Sequence, residues 1–90
     1  MLNENRNDFV CRICGLDQQE RPWGADNHSP TFGICPCCGA EFGYHDFTLV
    51  GIREHRANWL SNGAKWRDPK IKPVHWSPEE QLKNIPAKYK

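Results

Sequence analysis

The sequence Cys35-Pro36-Cys37-Cys38-Gly39 decides how the chain is built, because it answers an earlier Cys11-Arg12-Ile13-Cys14-Gly15. Both have the form Cys-x-x-Cys-Gly. Two residues between the cysteines let the backbone turn until both sulfurs face one point, and the glycine lets the chain leave that turn with positive φ. Twenty residues, Gly15 to Ile34, separate the knuckles. Four soft sulfur ligands at this spacing, Cys11, Cys14, Cys35 and Cys38, read as one tetrahedral metal site.

Working outward, 90 residues allow a single small domain that needs a staple beyond its apolar core. Five cysteines admit three uses: a metal site, a redox dithiol or disulfides. The polar start Met1 to Asp8 lacks the apolar segment of a signal peptide. No run is long enough to cross a membrane. A cytoplasmic setting is therefore expected, and there paired cysteines read as metal-binding before they read as disulfides. The metal expected is one structural Zn²⁺, with iron as the alternative, because spacing alone does not separate the two.

The formal charge of +1 is unevenly divided. Residues 1–50 carry three basic and seven acidic side chains, and residues 51–90 carry nine and four. An acidic head thus precedes a basic tail. Four thiolates and a divalent ion would bring the total near −1, which argues against a tight nucleic-acid binder.

Along the chain, residues 1–8 read as a flexible arm and 9–90 as one domain. Within it, 9–45 reads as a zinc ribbon, 46–63 as a helix, 64–76 as an extended linker, 77–85 as a short helix and 86–90 as a tail. Thr31 to Ile34 is expected to be a short strand entering the second knuckle, with Ala40 to Tyr44 pairing back as the other arm of a β-hairpin. Trp23 anchors the turn-rich stretch between the knuckles. Leu49, Ile52, Arg56, Trp59 and Leu60 share a helical face, with Asp46 or Thr48 as N-cap and Asn62-Gly63 as stop. Ser77-Pro78-Glu79-Glu80 has the cap, first-turn proline and acid that start a second helix. The expected fold is a small metal-stapled α+β domain: a rubredoxin-like zinc ribbon followed by two short helices.

Cys35 through Asp46, with Ala40-Glu41-Phe42-Gly43-Tyr44-His45 between, resembles the small bacterial cysteine-rich proteins named for their Cys-Pro-Cys-Cys (CPCC) motif. The likeness continues through Trp59, Gly63 and Trp66 to Trp76-Ser77-Pro78 and Gln81-Leu82-Lys83-Asn84. It departs at Arg12-Ile13, where a proline is expected after the cysteine, and at His45, where an acid is expected. The resemblance implies a compact zinc ribbon with no settled biochemical role. A looser resemblance, through Cys-Pro-x-Cys-Gly, is to rubredoxins, which implies an iron electron-transfer site. Rubredoxins, however, are usually acidic, have a longer gap between knuckles and lack a basic tail of this kind.

Cys37 is left outside the tetrahedron, either as a reactive thiol or as a small buried residue. His45 and Asp46 are weighed as a nuclease-like pair and as ordinary turn and cap residues; four cysteines on one ion leave no open coordination position, so no enzymatic activity is expected. The zinc deaminase signature is absent, since Ile34 rather than proline precedes Cys35 and no His-x-Glu lies upstream. The run Lys65 to Trp76 interleaves cations with Trp66 and Trp76, readable as a base-stacking track or as two anchors for a linker. Two functions follow. One is a protein-interaction module, using the aromatic groups Trp23 and Tyr44 and the acidic head. The alternative is a nucleic-acid module using Arg53, Arg56, Lys65, Arg67, Lys70 and Lys72.

Overall fold

The computed structural model describes residues 6–90. Residues 1–5 of the expected arm lie outside the described residues, and Arg6–Phe9 form a 3-10 turn. Two α-helices follow the knuckles, α1 over Leu49–Ser61 and α2 over Pro78–Leu82, with short 3-10 turns at Pro69–Ile71 and Ala87–Tyr89.

The expected β-hairpin is overturned. Among the described residues there is no strand, only two isolated antiparallel bridges, Val10 with Asp17 and Ile34 with Glu41. The domain is thus a pair of cysteine knuckles joined to a helical C-terminal half, and the rubredoxin-like ribbon reading does not hold. The reason is local. Phe32 sits at φ 61° and Gly43 at φ 96°, so neither arm stays extended for more than a residue or two. The amides of Tyr44 and His45 both donate to the Glu41 carbonyl, at 3.1 Å each, turning the chain where a return strand would run. Asp46 draws in the Gly43 amide at 2.6 Å and so fixes that turn. Phe42 packs inward, while Tyr44, two residues on and on the same face had the arm been a strand, is 71% exposed.

Asp46 is also not the helix cap. Its carboxylate is fully buried and accepts from Trp23 Nε1 at 2.8 Å as well as from Gly43. Thr48 caps α1 instead, its hydroxyl accepting from the Gly51 amide at 3.0 Å. At the other end Gly63, at φ 96°, takes the chain out of the helix, and its amide bonds the Leu60 carbonyl. The inward face of α1 is narrow: Ile52 and Trp59 are buried, whereas Leu49 and Leu60 remain partly exposed. α2 is short but well started, with Ser77 Oγ accepting from the Glu80 amide and Pro78 in the first turn.

The core gathers Ile13, Phe42, Ile52, Trp59 and Trp66 around the five cysteines. Burying one Ile or Phe side chain is worth about 1.5–3 kcal/mol, so an apolar set this small leaves the staple much to do. The segment after α1 is held by its tryptophans. Trp66 is buried, and Trp76 meets it edge-on at 5.4 Å between centroids and Trp59 at 6.1 Å. Trp59 Nε1 donates back to the Lys65 carbonyl at 3.0 Å, closing the turn between helix and linker.

Candidate metal centre

Each knuckle closes through the same two bonds. The amide of the first cysteine donates five residues ahead, Cys11 to Leu16 at 2.9 Å and Cys35 to Ala40 at 2.8 Å. The glycine amide returns to that cysteine's carbonyl, Gly15 to Cys11 at 2.9 Å and Gly39 to Cys35 at 3.0 Å. Gly15 and Gly39 take φ values of 85° and 78°, which L side chains adopt only with strain.

The two turns bring Cys11, Cys14, Cys35 and Cys38 together, all four sulfurs lying within 4.8 Å of one another. Across the knuckles Cys11 and Cys38 are 3.7 Å apart and Cys14 and Cys35 are 3.6 Å apart. A tetrahedron of sulfurs at about 2.3 Å from a central ion has edges of about 3.8 Å. The donor set therefore fits a tetrahedral metal ion in both chemistry and size. Three of the sulfurs belong to residues with no exposure and Cys38 is 8% exposed, so the cluster could hold an ion away from water.

The protonation of the free thiols shows why a cation suits this place. Thiol donors from Cys11, Cys14 and Cys38 hold Cys35 far below the ordinary thiol range. The contact with Cys11, with Cys35 and burial adding, pushes Cys38 far above it, and burial first and the neighbouring thiols second do the same to Cys14. Without a cation, then, Cys35 takes the negative charge while Cys14 and Cys38 stay protonated. A divalent ion removes that conflict and lets all four ionise. The Cys38 amide and Gln18 Nε2, the latter at 3.4 Å, already donate to Cys35 Sγ.

Around the knuckles, the C-terminal half bonds six backbone carbonyls in turn. Arg56 donates from Nη2 to Arg12 O at 2.9 Å and from Nε to Ile13 O at 2.7 Å, and also reaches Tyr89 O at 2.7 Å. Gln81 Nε2 donates to Cys14 O at 3.1 Å. On the second knuckle, Pro36 O takes the Asp68 amide, Cys37 O takes the Arg67 amide, and Cys38 O bonds His55 Nε2 at 2.9 Å.

Cys37 lies outside the four and is fully buried; Gln81 Nε2 donates to its sulfur at 3.4 Å, and Gln81 Oε1 accepts from Trp76 Nε1 at 2.8 Å. A donated Cys14 thiol proton, with Gln81 assisting against burial, holds Cys37 below its usual range. His45 accepts the Glu41 amide at Nδ1, 2.9 Å, and its ring packs against those of Tyr44 and His55. Trp23, counted among the aromatic groups for a partner, is buried, whereas Tyr44 is open. Of the six cations proposed for nucleic acid, Arg56 is spent on the first knuckle and Arg53 Nε donates to the Lys90 carbonyl at 3.0 Å. Lys65, Arg67, Lys70 and Lys72 remain exposed.

Sequence reasoning missed Arg56 and Gln81 as supports of the site. Arg56 did carry a signal, a cation on an otherwise apolar helical face. Gln81 carried none, because its partners on the knuckles lie 44 and 67 residues away in the chain.

Fold and site together define a small protein built around a buried four-cysteine cluster able to hold a metal ion. Comparison with known proteins gives the family. The chain belongs with two uncharacterised proteins of Bacillus subtilis (strain 168), YozI and YoaQ. It is 33% identical to YozI over 92 residues, covering 84% of this chain and 71% of YozI. To YoaQ it is 33% identical over 91 residues, covering 84% and 72%. No family model matches the chain. No solved structure matches it either. Among the described residues, no helix is long and apolar enough to cross a membrane.

Proposed function

We propose that the protein is a non-enzymatic, cytoplasmic, metal-stapled interaction module whose four cysteines hold one structural Zn²⁺ and whose surface binds a protein partner. The observation that carries this reading is the closed cluster. Four buried sulfurs at tetrahedral spacing satisfy the ion and leave no position for water or substrate. The resemblance to the CPCC proteins agrees with a structural zinc. Iron is the alternative metal, since an all-sulfur tetrahedron accepts either.

The partner surface is supported by apolar side chains that the fold leaves outside. Phe32, Tyr44, Phe47 and Val50, around the turn after the second knuckle and the start of α1, are 62–71% exposed. Aromatic groups of this kind are enriched at the centres of protein interfaces. Nucleic acid is the second reading, resting on the four exposed cations Lys65, Arg67, Lys70 and Lys72. Four phosphate contacts would give a slope of log K against log salt of about −3 on single strands, a modest electrostatic grip.

Two measurements test this reading. Elemental analysis of native protein is expected to give about one zinc per chain; a red, iron-loaded protein with reversible one-electron chemistry would replace zinc by iron. A pull-down from native lysate is expected to recover one specific protein with or without nuclease, and to lose it in the doubly substituted Phe32→Ser/Phe47→Ser protein. Recovery abolished by nuclease and unaffected by those substitutions would overturn the choice of partner.

A further inference from the structure

On the outer side of the first knuckle lies a cavity of about 350 Å³. Its chemistry has no part in holding the cysteines. Arg12 stands in one wall with its guanidinium between two rings, 4.1 Å from the Trp23 centroid and 4.5 Å from that of Tyr89. One of its N–H groups donates to Asn27 Oδ1 at 3.2 Å, which fixes the plane of the fork. Among the described residues Arg12 has no ion-pair partner. Lys88 brings a second cation to the same cavity, and the ring of Phe47, 70% exposed, forms an apolar edge beside Trp23.

The surroundings do not neutralise this charge. Among the described residues, no carboxylate lines the cavity. The nearby Asp26 carboxylate is taken up by the His28 amide at 2.9 Å and the Ser29 hydroxyl at 3.0 Å. The Asp46 carboxylate is buried behind Trp23 and bonded to its indole N–H. A guanidinium stiffened by stacking loses little freedom when it binds, and its planar donors match an oxyanion in two-point fashion. The volume falls at the small end of ligand pockets.

We infer that this cavity is a binding site for a small aromatic oxyanion. A phosphate or carboxylate would lie on the Arg12 fork with Lys88 assisting, and the attached flat ring would rest against Phe47. The backbone of the knuckle needs neither charge. Arg12 contributes to the metal centre only through its carbonyl, which Arg56 bonds and which any residue would supply.

The test is a titration of the zinc-loaded, full-length protein followed by ¹H–¹⁵N NMR, with phenyl phosphate, adenosine monophosphate and inorganic phosphate as probes. Saturable shifts are expected at the Trp23 indole and the Asn27 amide, with phenyl phosphate and adenosine monophosphate both binding at least about 10-fold more tightly than inorganic phosphate. Arg12→Gln is expected to weaken both ring-bearing probes by about 10-fold or more, Arg12→Lys to recover only part of that, and Lys88→Gln to weaken them a few-fold at low salt. Zinc content is expected to stay at the wild-type value in all three variants. Should Arg12→Gln lose its folded spectrum, Lys88→Gln and Phe47→Ala, both at open positions, carry the test. The inference is overturned if no probe saturates below about 10 mM, if the ring adds nothing over inorganic phosphate, if Lys88→Gln and Phe47→Ala bind as wild type, or if the shifts fall on Lys65 to Lys72 instead.

Discussion

Replacing Gly15 by alanine tests how tightly α2 closes over the first knuckle, and Gly39 provides the internal control. Both glycines leave a knuckle with φ near 80°, at 85° and 78°, so an alanine at either place meets the same backbone strain, about 1–2 kcal/mol. Their surroundings differ. A Cβ on Gly39 would find its nearest neighbour, the Arg67 side chain, at 3.9 Å, an ordinary contact. A Cβ on Gly15 would stand 2.3 Å from the Gln81 carbonyl oxygen and 3.3 Å from Ile85. That carbonyl is backbone and must withdraw by about 1 Å, carrying with it the Gln81 amide bonds to Cys14 O and Cys37 Sγ and the buried Ile85. Two weakened hydrogen bonds and some lost packing add about 2 kcal/mol. Gly15→Ala is therefore expected to cost about 3–4 kcal/mol and Gly39→Ala about 1–2 kcal/mol. Urea unfolding of the zinc-loaded proteins, followed by tryptophan fluorescence, measures both. Equal losses in the two variants would refute the close seating of α2 on the knuckle.

Three further outcomes are expected. Cys14→Ser and Cys38→Ser should lose the metal and the folded circular dichroism spectrum, a penalty on the order of 10 kcal/mol by analogy with zinc-finger peptides, whereas Cys37→Ser should keep one metal per chain; loss of metal from Cys37→Ser alone would disprove the ligand set. Arg56→Met should cost about 2–4 kcal/mol in urea unfolding with metal content unchanged, because it strips donors from the carbonyls of Arg12, Ile13 and Tyr89; a cost below 0.5 kcal/mol, roughly that of a neutral surface change, would contradict that role. Zinc uptake at pH 7 should release about two to three protons, since Cys35 is already held ionised while Cys14 and Cys38 are held protonated; affinity should thus fall as pH falls, and calorimetry in buffers of differing ionisation enthalpy reads the count.

What the sequence made legible was chemistry repeated at short range. The two Cys-x-x-Cys-Gly turns, the Asn62-Gly63 stop and the Ser77-Pro78 start all depend on residues within one turn of each other, and each could be read from its own letters. The hairpin expected from Thr31 to Ile34 and Ala40 to Tyr44 does not form, because the chain turns at both arms. The deciding residues are Phe32, in a left-handed conformation that its identity does not announce, and Asp46, which the sequence offers beside Thr48 as a cap and the fold bonds to the Gly43 amide. A carboxylate beside a glycine-containing turn can satisfy either an amide of that turn or a helix end, and only Trp23, 23 residues upstream, selects between them. Arg56 reads both as part of the apolar face of α1 and as one of six cations, and its bonds to Arg12 O and Ile13 O place it on the first knuckle.

One of the six bonded carbonyls of the knuckles, that of Cys37, also bears on a sulfur it never touches. A trans peptide sets its C=O and N–H on opposite sides, so donors pulling at Arg12 O, Ile13 O, Cys14 O, Pro36 O, Cys37 O and Cys38 O polarise the amides on the far side of the same peptide planes. Among those amides, that of Cys38 donates to Cys35 Sγ. That sulfur is in this way reached from outside through one peptide bond, because the Arg67 amide donates to Cys37 O, whereas the amides of Gly15 and Gly39 donate to the carbonyls of Cys11 and Cys35. In cobalt-substituted protein the sulfur-to-metal charge-transfer band would register that pull, shifting in the Arg67→Pro protein, which lacks the donating amide, even though every ligand stays in place.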